Sequence, residues 1–460
     1  MYVPNPVNHS GKDLTRTSLR FLSLALIILV TFGNYFVYDN PSALQTQLQD
    51  KLNLSDLEFN LYYSIYSFPN IVLPVFGGYF IDVIGNRIGA LLFSVFVVLG
   101  QGIFAFGVMV RNYPISLLGR GVFGLGGENL TVCSNHFVTG WFTGNELAMA
   151  IGTLTSIGRL GTVLNNTIEP AIVESTNSLS LGLWVGFLFC IFSLACVLSI
   201  NIIDKKKDKN LGIISKKLLP ESEKFKFKEL KYFGHTFWYL CLNCLSVYIG
   251  VSCFNNIASN YFQERFYYTS IEAGSIISIT YLVSAILSPI FGILVDKIGR
   301  RVHFMMLSAL LITSVHIAFL VTPESYQPIY PIFYMVFLGI GYSIYSAVMW
   351  ASIPYIVRPK VHGTAFGSAT SVMNFGLAIG PLIVGYIQET TNKDRGYYWV
   401  SFFFVVVGVF GIASCAMVYV HDLRKGGVLL SKCPGKAKDS FLTSEGENTV
   451  MMSEKSSINK

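Results

Sequence analysis

The chain has 460 residues, 52% hydrophobic and 13% charged, with a formal net charge of +7 and a positive mean hydropathy. A soluble domain carries about a quarter charged residues, so this composition excludes an ordinary water-soluble globule. Apolar runs of about 20 residues recur along the whole length, which is the signature of a polytopic helical membrane protein.

Residues 1–20 are polar and place Lys12, Arg16 and Arg20 ahead of an apolar run over 21–37. That run is too long for a secretory signal and no small-residue cleavage site follows it, so it is the first span. Asp39, Asn40 and Pro41 end it, and Pro41 suits the first turn of a short following helix. Further spans are expected near 58–80, 88–109, 114–141, 146–172, 180–202, 236–259, 271–295, 302–321, 328–352, 362–387 and 398–420. The fold class is therefore an all-α membrane protein with twelve transmembrane helices in two six-helix bundles.

The Lys and Arg residues orient it. With the amino terminus in the cytosol, cytosolic segments hold 26 of the 33, while the opposite loops hold five and Arg120 and Arg159 lie within spans. That bias puts both termini on the cytosolic side, and the excess of basic residues reads as orientation rather than as a nucleic-acid surface. The organisation expected is a cytosolic tail over 1–20, a six-helix bundle over 21–202, a basic cytosolic linker over 203–235, a second bundle over 236–420 and a disordered cytosolic tail over 421–460. Seven of the eight cysteines fall in apolar segments, so no extramembrane disulfide framework is implied, and Cys241-x-x-Cys244 reads as a packing pair.

The two halves echo each other. Gly78-x3-Asp82-x2-Gly85-Asn86-Arg87 sits between spans 2 and 3, and Gly292-x3-Asp296-x2-Gly299-Arg300-Arg301 sits between spans 8 and 9. Either copy alone would be a basic loop with a helix cap, but the pair at matched positions is the mark of a transporter built from two related bundles. The aspartates can accept bonds from arginine or a helix terminus and the glycines permit a tight turn, so these residues form a candidate gating latch.

Two ionisable residues stand inside adjacent spans. Glu128, in Gly126-Gly127-Glu128-Asn129, and Arg159, in Ile157-Gly158-Arg159-Leu160, lie about 15 and 16 residues on either side of a turn near Thr143 and Gly144. That puts both roughly 22–24 Å from one membrane face. Each costs at least about 2.5–3.5 kcal/mol at bilayer depth, so each needs a partner or a task. One reading is a buried ion pair that fixes helix packing. The other is a polar site for a small molecule that itself carries both signs of charge.

Twelve spans, a 6+6 division, a basic central loop and the doubled motif resemble the major facilitator superfamily. A closer similarity, to its branch of lysosomal dipeptide exporters, lies in Tyr38-Asp39-Asn40-Pro41-x-Ala43-Leu44-Gln45-Thr46-Gln47, Phe76-Gly77-Gly78, Gly124-x-Gly126-Gly127-Glu128, Ile157-Gly158-Arg159 and Gly363-Thr364-Ala365-Phe366-Gly367. The resemblance implies that Glu128 and Arg159 meet the two ends of a dipeptide. It also implies a lysosomal or acidic vacuolar membrane, with the plasma membrane left open, and a glycosylated accessory membrane protein as a partner. A homodimer is left open as well. On chemistry, Arg159 offers a planar fork to a carboxylate and Glu128 accepts an ammonium group. In the empty site the two charges are expected to pair with each other, directly or through water.

Tyr38, Tyr62, Tyr248 and Trp350 are the first candidates for walls around substrate side chains, with Tyr35 and Tyr66 behind them. Gly119-x-Gly121-x-x-Gly124 mimics a dinucleotide fingerprint, but no strand precedes it. Its glycines, with Gly127, instead let a neighbouring helix approach. Arg120 either matches another superfamily motif, one linked to proton coupling, or snorkels to the interface. No catalytic motif, cofactor site or metal site is apparent. The expected function is export of dipeptides, cationic ones included, from lysosome to cytosol by alternating-access uniport, in contact with membrane lipid. A proton-coupled carrier of another small metabolite and a non-transporting peptide sensor are the alternatives.

Overall fold

The computed structural model describes residues 14–142, 145–211, 233–357, 361–391, 393–424 and 426–431, and the regular elements among them are helical. In chain order they are α1 (Leu19–Tyr38), the single-turn α2 (Asn40–Ala43), α3 (Gln45–Leu52), α4 (Asp56–Ile84), α5 (Asn86–Met109), α6 (Tyr113–Trp141), α7 (Asn145–Thr176) and α8 (Leu179–Leu211). Then follow α9 (His235–Tyr248), which passes through a π-helical turn at Ile249–Cys253 into α10 (Phe254–Phe266), and α11 (Ser270–Ile298), α12 (Arg301–Val321), α13 (Tyr330–Ile356), α14 (His362–Thr390) and α15 (Lys393–Arg424).

Nine helical segments among the described residues are long and apolar enough to cross a membrane. The other three spans expected from sequence fall on α4, α6 and α7, which are 29, 29 and 32 residues long. Two of these, α6 and α7, carry the charges Arg120, Glu128, Arg159 and Glu169 in their interiors. Local chemistry sets several helix starts. Asn112 accepts from the Ile115 N–H at 3.1 Å, and Thr269 with Glu272 closes a reciprocal cap at the start of α11.

Consecutive long helices reverse direction. Residues 40–56, 266–270 and 322–330 therefore gather at one end, the distal face, while 84–86 and 298–301 lie at the opposite end with both described ends of the chain, the termini face. The apolar cores divide along the chain: two lie within residues 24–200 and one within 237–429. The halves meet along a seam closed on its distal side. Gln47 donates to Ser270 at 3.1 Å, Asn60 to Gln388 at 3.3 Å and Ser278 to the Val163 carbonyl at 3.2 Å. Glycines bring backbones together at such places. A Cβ on Gly385 of α14 would lie 2.7 Å from Leu57 Cα on α4, and one on Gly124 of α6 only 2.3 Å from the Tyr66 carbonyl oxygen. Gly127 is similarly tight against Tyr66, whereas Gly121 has only an ordinary 3.5 Å neighbour.

The repeated motif forms the turns at the termini face. Gly85 and Gly299 take φ of 86° and 69°, a region that costs glycine nothing and an L side chain a strain. The arginines bond differently in the two halves. Arg87 reaches Asp204 at 2.6 Å and also Asp208, both on α8, and Lys207 bonds Asp204 at 2.7 Å. Arg301 instead reaches Asp296 of its own motif at 2.7 Å and covers the Tyr355 ring. Arg300 sits at φ 50° and donates its N–H to the Ser431 carbonyl at 3.0 Å. Gly292 has open space around it, while the side chains at Gly78 and Asp82 lie outside the described residues, as do Thr143 and Gly144.

Two expected loops begin as structure. The sixth span extends as helix to Leu211, because Asp204 and Asp208 tie it to Arg87; residues 212–232 of the linker lie outside the described residues. After α15 the chain folds back, with Asp422 accepting from the N–H groups of Leu429 (3.0 and 3.1 Å) and Leu430 (3.0 Å). Gly124→Ala is expected to lower the apparent Tm in scanning fluorimetry, at an overpacking cost of about 1–3 kcal/mol, while Gly121→Ala leaves it near wild type.

Candidate functional site

Arg159 lies at mid-depth on α7 and is 7% exposed. Its Nη1 donates across the seam to the Ser288 hydroxyl at 2.8 Å, the Ser284 carbonyl at 3.3 Å and the Ser284 hydroxyl. The two serines stand one turn apart on α11, so they present one hydroxylated face to α7. The guanidinium carbon lies 4.9 Å from the centroid of the Tyr342 ring on α13. All three hydrogen bonds use one nitrogen. The Nε–Nη2 edge, the geometry that grips a carboxylate through two parallel bonds, makes none among the described residues.

Glu128 on α6 is half-buried, with no ion pair among the described residues. The expected direct pairing with Arg159 is therefore not seen, because the serines of the opposite half take the guanidinium instead. Tyr35 of α1 connects the two. Its ring stands in the field of both Glu128 and Arg159. It reaches this place because Gly158 has no side chain: a Cβ there would lie 2.8 Å from the Tyr35 ring.

The aromatic candidates separate into three places. Trp350 Nε1 donates to the Tyr248 hydroxyl at 3.1 Å, and Tyr248 meets the Tyr342 ring edge-on at 6.1 Å, so both join the wall beside Arg159. Tyr38 packs edge-on against Tyr66 at 4.9 Å and lies within electrostatic reach of Glu128. Tyr62 is elsewhere: it is fully buried near the distal face, bonded to Ser116 at 2.6 Å and packed on Phe104 and Tyr113. The signal missed in sequence was Ser284-x3-Ser288, a pair of hydroxyls on one face of an apolar span, and with it Tyr342.

Two other polar residues bond backbone carbonyls. Arg120 is fully buried, so it does not snorkel. It donates to the carbonyls of Val37 (3.1 Å) and Tyr38 (2.9 Å), where the negative end of the α1 dipole meets a cation. Five aromatic rings surround it, and Phe123 is at 5.0 Å. His316 of α12 bonds the Gly250 carbonyl at 2.8 Å within the π turn. That turn inserts one residue between Tyr248 and Asn255 and re-aims the helix beside the site.

Two facing sets of antiparallel helices, with a guanidinium and a carboxylate at mid-depth beside the seam, define a carrier-type membrane protein. The family model described as Major Facilitator Superfamily matches residues 27–247 and 240–432, and the chain belongs to that superfamily. It is 34% identical over 429 residues to the lysosomal dipeptide transporter MFSD1 of Homo sapiens, covering 91% of this chain and 89% of that one. The Danio rerio protein of the same name is 33% identical over 423 residues, covering 90% and 89%. Among solved structures, the nucleoside transporter NupG superposes with a TM-score of 0.70 at 12% identity, covering 86% of this chain and 100% of that one. A peptide transporter of the POT type in complex with sulfate gives 0.68 at 14%, covering 89% and 96%. These relatives are transporters rather than enzymes, and the chain is a multi-pass membrane transporter. His316→Phe, which leaves the Gly250 carbonyl unpaired in the core, is expected to lower the apparent Tm by an amount corresponding to about 1–3 kcal/mol, with His316→Gln recovering part of the loss.

Proposed function

We propose that this protein carries dipeptides, cationic ones included, out of the lysosome lumen into the cytosol by alternating access, as a uniporter. The observation that carries the reading is the Nε–Nη2 edge of Arg159, which makes no bond among the described residues, together with Glu128, which has no ion pair among them, with Tyr35 standing in the field of both. A zwitterionic peptide supplies the carboxylate that the first lacks and the ammonium that the second lacks. The identity to lysosomal dipeptide transporters over nine-tenths of the chain supports the substrate class and the lysosomal membrane. The wall of Tyr342, Tyr248 and Trp350 offers apolar faces that tolerate varied side chains.

Alternating access follows from where the seam closes. The cross-half hydrogen bonds described above lie distally or at mid-depth, and none of them lies on the termini side of Arg159. That distribution of bonds among the described residues supports a state open toward the termini face. The basic residues place that face in the cytosol, so the full arrangement is twelve spans in two bundles with both termini cytosolic. In this arrangement the termini-face latch of Arg87 and Arg301 is rebuilt each time the bundles rock. Asn53, in a glycosylation sequon, is exposed on the lumenal face, where a glycosylated accessory subunit would dock.

Replacing Arg159 by Ala removes charge-assisted bonds of about 1.5–3 kcal/mol. Dipeptide affinity in proteoliposome uptake is expected to fall by roughly tenfold to a hundredfold. Amidating the peptide carboxyl should reproduce that loss in the wild type and add nothing further in Arg159→Ala, and N-acetylation should do the same for Glu128→Gln. Uptake by Arg159→Ala equal to wild type refutes the assignment, and flux that requires an imposed proton gradient refutes uniport.

A further inference from the structure

A second buried charge-bearing group lies away from the Glu128–Arg159 site. Glu169, ten residues beyond Arg159 on α7, is 0% exposed, and neither carboxylate oxygen has a hydrogen-bond partner among the described residues. It points at α8, where Gly182 makes room: a Cβ on that glycine would lie 2.6 Å from Glu169 Oε2. One turn away on the same faces, Asn165 of α7 bonds Asn40 at 2.5 Å, and Gly186 of α8 accommodates Asn40 and Gln101. This polar layer is built of neutral amides. The charged groups on the surrounding elements are Asp39 at the end of α1, Asp50 and Lys51 on α3, of which Lys51 bonds Ser180 of α8 at 2.9 Å, Arg111 near Lys51, Glu272 at the start of α11, and the exposed Glu174 on α7 itself. None of them is bonded to Glu169 among the described residues.

An ionised carboxylate in such a place, with no donor and no cation, costs several kcal/mol, so the buried group is held neutral. Its position couples that neutrality to the seam. Asn166 and Pro170 flank Glu169 on the same turn and face the other half. Pro170 has no N–H, so the Asn166 carbonyl loses its helical donor. That carbonyl meets Gly274 of α11 so closely that a Cβ on the glycine would fall 1.9 Å from it, with Pro170 Cγ at 3.6 Å. One turn of α7 therefore seals the distal seam on one side and buries a carboxyl on the other. Hydrating a charge at Glu169 requires α7 to part from α8, which shifts the turn that closes against Gly274.

We propose that Glu169 is a proton-binding site, separate from the substrate site, whose proton holds the distal side of the seam closed. Protons from an acidic compartment on the distal face then favour the state open to the termini face, without needing to cross with the substrate. The folded, closed state binds a proton that the unfolded chain releases in the ordinary carboxylate range. The stabilisation is therefore complete at acid pH and is lost as pH rises.

The test is the apparent Tm of the purified full-length protein, without substrate, between about pH 5 and about pH 8. Wild type is expected to lose stability as pH rises. Glu169→Gln, which mimics the protonated side chain, should lose less apparent Tm than wild type as pH rises, the remaining slope belonging to the other buried and half-buried carboxyls, Asp39 and Glu128. Glu169→Met needs no proton and should give the same shallower profile if the glutamine variant folds poorly. A wild-type slope retained in both Glu169 variants overturns the proposal, as does a wild-type Tm at neutral pH that sodium chloride restores and choline chloride does not, which would mark a metal-cation site. Because no dipeptide enters the experiment, failure here leaves the transport reading untouched, and failure of that reading leaves this one.

Discussion

An arginine in an apolar helix bundle cannot be left bare, and the way Arg159 is satisfied organises the middle of this protein. It is met by dipoles rather than by an opposite charge: two serine hydroxyls, a backbone carbonyl and the face of a tyrosine. Such partners offset part of the desolvation cost and leave the charge itself uncompensated. They also belong to the other half of the chain. One side chain thus ties the halves together and presents a free edge to an anion. A ligand carboxylate competing for the guanidinium would act directly on the seam, and differential contact with two states is what any ligand-driven conformational change requires.

The buried polar groups differ in whether their bonding is complete. Arg120 gives both Nη groups to the carbonyl end of α1, with Nε unbonded among the described residues, and His316 meets the Gly250 carbonyl in the π turn. Both serve backbone geometry near the site. Glu128 and Glu169 remain unpaired among the described residues, one half-buried beside the seam and the other sealed between α7 and α8. Unsatisfied buried groups are rare in native structures, and a carrier has reason to keep them where something is to bind and leave.

The duplicated motif shows how far repetition goes. Gly85 and Gly299 both take positive φ, so the backbone requirement is shared. The arginine contacts are not: Arg87 engages two carboxylates of α8, whereas Arg301 engages its own Asp296 and an aromatic ring. A shared motif leads to different latches because the partner helices differ. The folded-back segment at Leu429 and Ser431 adds a contact to the second copy, through the Arg300 N–H.

Hydropathy, the period of the apolar runs and the placement of glycine and proline are local properties, and from them the sequence by itself determined an all-helical membrane protein, the order and rough limits of its helices and the repeat relating its halves. Residue chemistry in an apolar setting singled out Glu128 and Arg159, because the cost of burying charge is felt wherever the chain goes. What faces what was decided only by the tertiary structure. Tyr62 and Tyr248 read alike in sequence, yet one packs in a distal core and the other lines the wall beside Arg159. Nothing local foretold that Ser284 and Ser288, rather than Glu128, would hold Arg159, or that Glu169 would lie without a partner against Gly182. Those outcomes depend on the rotation and crossing of helices more than a hundred residues apart, or on which face of a neighbouring helix a glycine leaves open. Packing fixes such relations, and no window along the chain contains them.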